Sequence, residues 1–276
     1  MGDDSDYWAR IERVTNHIHD HLDGVLDLDQ LARIACFSPF HFHRIYHGFV
    51  GETVRDTVRR LRLHRAAIEL SEGQMPIERV ARRAGYTSQA AFTRAFRSTY
   101  GRPPGRYQAT AADRLDQKRR TDMYEVRTID REPIPVAALA HSGDYQAIGR
   151  TFERLVGVAG AAGLLRPDVR TFGIYYDDPA AKPTSELRSE ACLEVSPNWT
   201  AQGELRRLEI AAGRYATIEH VGPYAELPQA YAWLYGTWLP SSGVEVADRP
   251  CVEEYLNDPR QVPAHQLRTT IWLPLA

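Results

Sequence analysis

The sequence predicts a multi-domain chain: an all-α region made of two tandem helix-turn-helix units, followed by an α+β region with pseudo-twofold symmetry. Three observations predict it. The chain has 276 residues, 43% hydrophobic and 25% charged, enough for two domains of roughly 100–200 residues each and too apolar for disorder. Its charge is split: residues 1–120 carry 20 Lys+Arg against 15 Asp+Glu and seven of the ten histidines, while residues 121–276 carry 14 against 21. A basic half joined to an acidic half points to two different partners. Finally, each half contains its own internal repeat.

In the first half, Trp8, Ile11, Val14, Ile18 and Leu22 recur every three or four residues, an amphipathic helix that Gly24 ends. Asp27 is placed to cap a second helix expected to bury Leu28, Leu31, Ala32 and Ala35. After a break at Cys36-Phe37, Ser38 and Pro39 open a third, since serine caps and proline suits the first helical turn. An Arg-rich helix runs from about Val54 to Ser71, ended by Gly73. Then the pattern returns: Pro76-Ile77 starts a helix with Val80, Ala81 and Ala84, Gly85-Tyr86 turns, and Ser88 caps a helix with Phe92 and Phe96. Residues 31–46 lie over 80–96 with one extra residue in the second turn, matching Ser38 with Ser88, Phe42 with Phe92, Arg44 with Arg94 and Gly51 with Gly101.

Helix, short turn, helix is the arrangement that lays its second helix in a DNA major groove. Two such helices reach successive grooves when about 34 Å apart, and a linking helix of about 18 residues spans roughly 27 Å. One monomer is therefore expected to read a bipartite double-stranded site. Arg44 and Arg94 sit on polar helix faces, where a guanidinium pairs bidentately with guanine. His41, His43, Gln89 and Thr93 are further candidate base contacts, and Arg55, Arg59, Arg97 and Arg102 candidate phosphate contacts.

The stretch Thr110–Asp122 is polar and poor in large apolar residues, so residues 111–122 read as a linker between domains at 7–110 and 123–276. Beyond it, Tyr124–Ile129 and Val136–Ala140 alternate like strands. His141-x-Gly-x-Tyr145, with Ile148, Phe152 and Leu155, returns 79 residues later as His220-x-Gly-x-Tyr224, with Leu227, Tyr231 and Leu234. Tyr175, Asp178, Pro179, Pro183, Leu187 and Arg188 have identical partners 80 residues on. Each copy reads strand, helix, strand, strand, and the cleft between two such copies is a natural ligand site.

Several chemistries find no support. Cys36, Cys192 and Cys251 form no paired framework and no C-x-x-C, and the last two fall in strand-like segments as buried thiols. There is no P-loop and no G-x-S-x-G. His17 and His21 stand one helical turn apart beside Asp20 without a third ligand, so neither a metal nor a cofactor is expected. Asp177-Asp178-Pro179 and Asn257-Asp258-Pro259 read as duplicated turns rather than catalytic acids. No run of about 18 apolar residues occurs and the acidic start lacks an apolar signal core, so a soluble, cytoplasmic protein with no membrane partner is expected.

Residues 80–107, VARRAGYTSQAAFTRAFRSTYGRPPGRY, resemble the signature of the AraC/XylS family of transcription regulators, and the likeness extends over about residues 7–110. It implies binding of operator DNA, with RNA polymerase as a candidate further partner. The family's base-contacting positions match Phe40, His43 and Arg44 in the first unit and Gln89, Ala90, Thr93 and Arg94 in the second, beside the helix-opening Ser38 and Ser88. Phe40 and His43 replace a tryptophan and a glutamine found in some members.

Residues 122–276 are similar to the GyrI-like small-molecule-binding domain, of the SHS2-repeat type, through H-V-G-P-Y (220–224), W-L-P-S-S-G (238–243) and P-C-V-E-E-Y-L-N-D-P (250–259). Together the halves resemble the Rob-type arrangement. That likeness implies an aromatic pocket whose buried glutamate selects an aromatic or lipophilic cation. It places the acid at Glu253 with Tyr255 beside it, and Tyr145, Tyr224 and Trp233 as candidate ring walls. Glu254 follows directly, and strand alternation turns only one of the two acids inward. Hydrolysis of a reactive ligand, or its sequestration, is the alternative function of this domain.

Overall fold

The computed structural model describes residues 4–112 and 123–276. The described residues pack as two compact units, one of 4–112 with Gly222–Tyr231 and Pro259–Gln266, the other of 123–221 with Ala232–Asp258 and Leu267–Ala276.

The first unit carries α1 (Asp4–Asp20), α2 (Leu28–Ile34), α3 (Pro39–Val50), α4 (Val54–Glu72), α5 (Ile77–Arg83), α6 (Gln89–Tyr100) and α7 (Pro104–Ala112). Side-chain caps open three of these: Asp27 accepts from the Asp29 N–H, Thr53 from Asp56 and Ser88 from Ala91. Ser38 differs from its counterpart Ser88 in making no such bond. Pro39 at the first helical position lacks the N–H that would otherwise need a partner, which eases the start of α3. Cys36 and Gly85 occupy the same place in the two turns, and both adopt the left-handed region, at φ 54° and 82°. Only the glycine does so without steric cost.

The α4 helix serves two cores. Val54 and Leu61 join Ile11, Val14, Ile18, Leu31, Phe42 and Tyr46, whereas Leu63, Ala66, Ala67 and Leu70 join Val80, Phe92, Phe96, Tyr100 and Tyr107. A buried hydroxyl ties each second helix to α4: Tyr46 meets Thr57 Oγ1 at 3.0 Å, and Tyr100 donates to the Leu63 carbonyl at 3.1 Å. The α7 helix continues to Ala112, so the first two residues of the expected linker are helical; the rest of that stretch lies outside the described residues.

The second unit is organised by an antiparallel sheet with strands β1 (Arg127–Arg131), β2 (Ile134–Ser142), β3 (Thr171–Tyr175), β4 (Arg188–Glu194), β5 (Arg206–Ile210), β6 (Gly213–Val221), β7 (Cys251–Tyr255) and β8 (Arg268–Pro274). Their order, β1-β6-β8-β7-β3-β4-β2-β5, is symmetric about the β7–β3 pair. β1 and β5 stand 79 residues apart and have exchanged places: β1 of the first repeat pairs with β6 of the second, and β5 of the second with β2 of the first. The duplicated turns are equally matched. Asp177 accepts from the Arg188 N–H at 2.9 Å, and Asn257 from the Arg268 N–H at 3.0 Å. The Arg188 guanidinium, then Lys182, holds the Asp177 carboxyl well below the usual carboxylate range.

Helix α8 (Gly149–Ala161) follows β2, and β6 is followed by α9 (Leu227–Trp233), a π-turn (Leu234–Trp238) and the short α10 (Leu239–Ser242). Phe152, Leu155 and Ala159 of α8 pack on Ala137, Leu139, Ala191 and Leu193, which defines the helix-bearing face of the sheet. Val136, Ala138, Phe172, Ile174, Cys192, Val252 and Trp272 form a second core on the opposite face.

Candidate functional site

The second helix of each helix-turn-helix unit turns its apolar side inward and its polar side out. On α3, Phe42, Tyr46 and Val50 are buried, and on α6, Phe92, Phe96 and Tyr100. This leaves Ser38, Phe40, His41, His43 and Arg44 exposed in the first unit, and Ser88, Gln89, Ala90 and Arg94 in the second, with Thr93 half-buried. Phe40 is 89% exposed, a high value for a ring that gains nothing from water. An apolar side chain at the start of a groove-reading helix suits contact with a thymine methyl. Arg97 and Arg55 are exposed as well. Arg102 is committed elsewhere within its unit, bonded through Nη2 to both carboxylate oxygens of the buried Glu226 at 2.7 and 3.0 Å.

The register of β7 settles which of its two acids faces the helices. Glu253 lies opposite Gly173, which lies opposite Ala191, a residue of the helix-bearing face. Glu254 lies opposite Phe172 in the other core. Glu253 is 3% exposed. Glu254 instead takes the Nε of Arg170 at 2.8 Å, with that guanidinium 4.9 Å from the centre of the Phe172 ring.

Around Glu253 the repeat supplies a chain of rings. Tyr255 donates its hydroxyl proton to Glu253 Oε2 at 2.9 Å, and Tyr175, the repeat partner of Tyr255, lies hydroxyl to hydroxyl with it at 2.7 Å. Because the Tyr255 proton goes to the carboxylate, Tyr175 is the donor in that contact. Tyr145 meets Tyr175 edge-on at 4.8 Å, and Phe152 meets Tyr255 edge-on at 5.1 Å. Tyr145 is fixed by its own hydroxyl, which contacts the Arg188 and Asp177 carbonyls at 2.9 and 3.0 Å, and burial raises its pKa. Gly173 makes room for all of this: a Cβ there would stand 2.7 Å from Tyr175 Cε2 and 2.9 Å from the Tyr255 hydroxyl. Cys251, two residues before Glu253, contacts the Tyr235 hydroxyl through its sulfur at 3.1 Å, and burial pushes its thiol up to about 11.

Among the residues expected from sequence, the structure therefore brings Glu253, Tyr255 and Tyr145 into one connected group. Trp233 is 2% exposed and packs against Tyr124 at 5.2 Å, whose hydroxyl meets His220 Nδ1. Tyr224 begins the 3-10 turn Tyr224–Glu226, half-buried, in the other compact unit. Sequence reading missed Tyr175, Gly173, Phe152 and Tyr235. The 80-residue offset that pairs Tyr175 with Tyr255 was the signal for the first; no residue type marks a glycine whose role is to leave space. Elsewhere, His17 and His21 stack at 4.0 Å, and among the described residues no cluster of three metal-ligating side chains forms. Among the described residues no helix is long and apolar enough to cross a membrane.

Residues 124–276 match the GyrI-like small molecule binding domain, and residues 31–110 match a helix-turn-helix domain. The chain is similar to the probable transcriptional regulator YgiV of Escherichia coli (strain K12), 29% identical over 154 residues, 55% of this chain and 96% of that protein. It is also similar to the regulatory protein SoxS of the same organism, 34% identical over 90 residues, 33% of this chain and 84% of SoxS. A solved EcmrR–DNA complex covers 90% of this chain and 98% of that one at 17% identity and a TM-score of 0.47.

Proposed function

Since the chain belongs to the family of GyrI-like small-molecule-binding proteins, and since it is a DNA-binding transcription regulator of the AraC type, we propose that its C-terminal domain senses an aromatic or lipophilic cation through Glu253. The regulator acts on operator DNA in the cytoplasm, with RNA polymerase as its further partner. Phe40, His41, His43 and Arg44 read one DNA segment; Gln89, Ala90, Thr93 and Arg94 read the other; Ser38 and Ser88 open the two reading helices.

The observation that carries this reading is a carboxylate 3% exposed, on the helix-bearing face, among half-buried aromatic rings. Burying a charge is costly unless it is compensated. The hydroxyl of Tyr255 is one partner of that carboxylate; a cation brings it the opposite charge, and the rings add their negative faces. A neutral ligand of the same shape gains neither. The relatives named as regulators favour sensing over hydrolysis of the ligand.

The test is calorimetry on the full chain at pH 8 with the N-methylacridinium ion and with acridine, its uncharged counterpart of nearly the same shape. The parent should prefer the cation, and Glu253→Gln should erase the preference, at a cost of about 2–5 kcal/mol for a desolvated charge pair. Glu254→Gln, on the opposite face, should change binding little. Cation binding that survives Glu253→Gln refutes the assignment.

A further inference from the structure

The two repeats of the second half hold a constant spacing until they reach their helices, where it changes by one residue. From His141/His220 through Phe152/Tyr231 to Leu155/Leu234 the partners stand 79 apart, but Gly163/Gly243, Tyr175/Tyr255 and Arg188/Arg268 stand 80 apart. Leu155 and Leu234 are equally buried, and Gly163 and Gly243 both follow their helices at φ 69°. The additional residue of the second repeat is therefore inside its helical segment, between Leu234 and Gly243.

One extra residue in an α-helix either rotates everything beyond it by about 100° or is absorbed as a bulge. Here it is absorbed. The Leu239 N–H bonds to the Leu234 carbonyl, closing the π-turn Leu234–Trp238, while α8 in the first repeat is α-helical throughout. Such turns recur at functional sites, and this one carries Tyr235, where the first repeat has Val156. The Tyr235 hydroxyl reaches the sheet at Cys251 Sγ, 3.1 Å away, and yet the residue remains 43% exposed. Cys251 and Glu253 alternate onto the same face of β7, roughly 7 Å apart along the strand. A partly exposed tyrosine whose hydroxyl meets Cys251 thus stands over the face of β7 that also carries the buried carboxylate.

We propose that the inserted residue builds a wall of the ligand site and that Tyr235 is its specificity-determining residue, selecting planar aromatic cations over compact ones. This rests on the reading of Glu253 given above. The anchored ring offers a flat surface on which a planar cation stacks, combining ring contact with attraction to the ring face; a compact ammonium reaches the carboxylate without needing that surface.

Calorimetry on the full chain at pH 8 separates the two ideas, using N-methylacridinium as the planar cation and tetramethylammonium as the compact one. Tyr235→Leu, which keeps bulk but removes the ring, should weaken N-methylacridinium at least tenfold and leave tetramethylammonium within twofold. Tyr235→Phe, which keeps the ring, should lose less than Tyr235→Leu. Equal weakening of both cations by Tyr235→Leu, or unchanged binding of N-methylacridinium, overturns the role given to Tyr235. If Glu253→Gln still loses the cation in that case, only the present inference falls. A parent that does not bind N-methylacridinium, or a Glu253→Gln variant that binds it as the parent does, overturns both. Should Tyr235→Leu fail to unfold cooperatively, Tyr235→Phe and Tyr235→Met are compared by the same two cations and the same criteria.

Discussion

Glu253 and Glu254 are adjacent, chemically identical and put to different uses by the pleat of β7. Glu254 is matched by the Arg170 guanidinium on one face; Glu253 receives a phenolic proton on the other. The residue that makes the second arrangement feasible is Gly173, directly across the strand pair. Any side chain there would drive into Tyr255, which bonds Glu253, and into Tyr175, which meets Tyr255, at distances of 2.7–3.0 Å from a Cβ. Gly173→Ala should therefore destabilise the fold by about 1–3 kcal/mol, the usual range for overpacking, and weaken N-methylacridinium by displacing the Tyr255 hydroxyl. Urea unfolding and calorimetry check the two effects; a variant as stable as the parent with unchanged binding contradicts this account of the site.

At the scale of elements, α3 and α6, the helices proposed to read DNA, carry side chains of different character. The first offers Phe40, His41, His43 and Arg44, the second Gln89, Ala90, Thr93 and Arg94, so the two DNA segments they read should differ in sequence. Arg44→Ala and Arg94→Ala should each cost about 1–3 kcal/mol and relax discrimination in one segment only, measured by selection from random DNA. Loss of discrimination across both segments from either variant would contradict one helix per segment.

The helices were legible in sequence because their apolar positions repeat and their caps are local: Asp27, Ser88, Gly51, Gly73 and Gly101 all stand where the chain turns into or out of a helix. The exchange of β1 and β5 between repeats was not, because each strand pairs with a partner about 70–90 residues away, as Arg127 does with Thr217 and Ala138 with Arg206; strand periodicity specifies a face and not a partner. Within the candidate site, the shared face of Glu253 and Tyr255 was legible from strand alternation, but the contact of Tyr235 with Cys251 was not, since it comes from the π-turn, whose trace in the sequence is a repeat spacing that shifts from 79 to 80. The commitment of Arg102 to Glu226, 124 residues on, likewise has no local mark.

For the whole molecule, the account joins a basic DNA-reading half to an acidic ligand-binding half, and sensing requires that the two be thermodynamically coupled. Coupling is reciprocal: if the cation changes DNA affinity by some factor, DNA must change cation affinity by the same factor. The most direct test is therefore to measure, on the full chain at fixed salt, the affinity for a DNA fragment obtained by selection, with and without saturating N-methylacridinium, and the affinity for N-methylacridinium with and without that DNA. The account predicts equal factors of about 5–150, the span of typical coupling energies, and their disappearance in Glu253→Gln. A cation that binds free and DNA-bound protein equally well, or a coupling that survives Glu253→Gln, would contradict it.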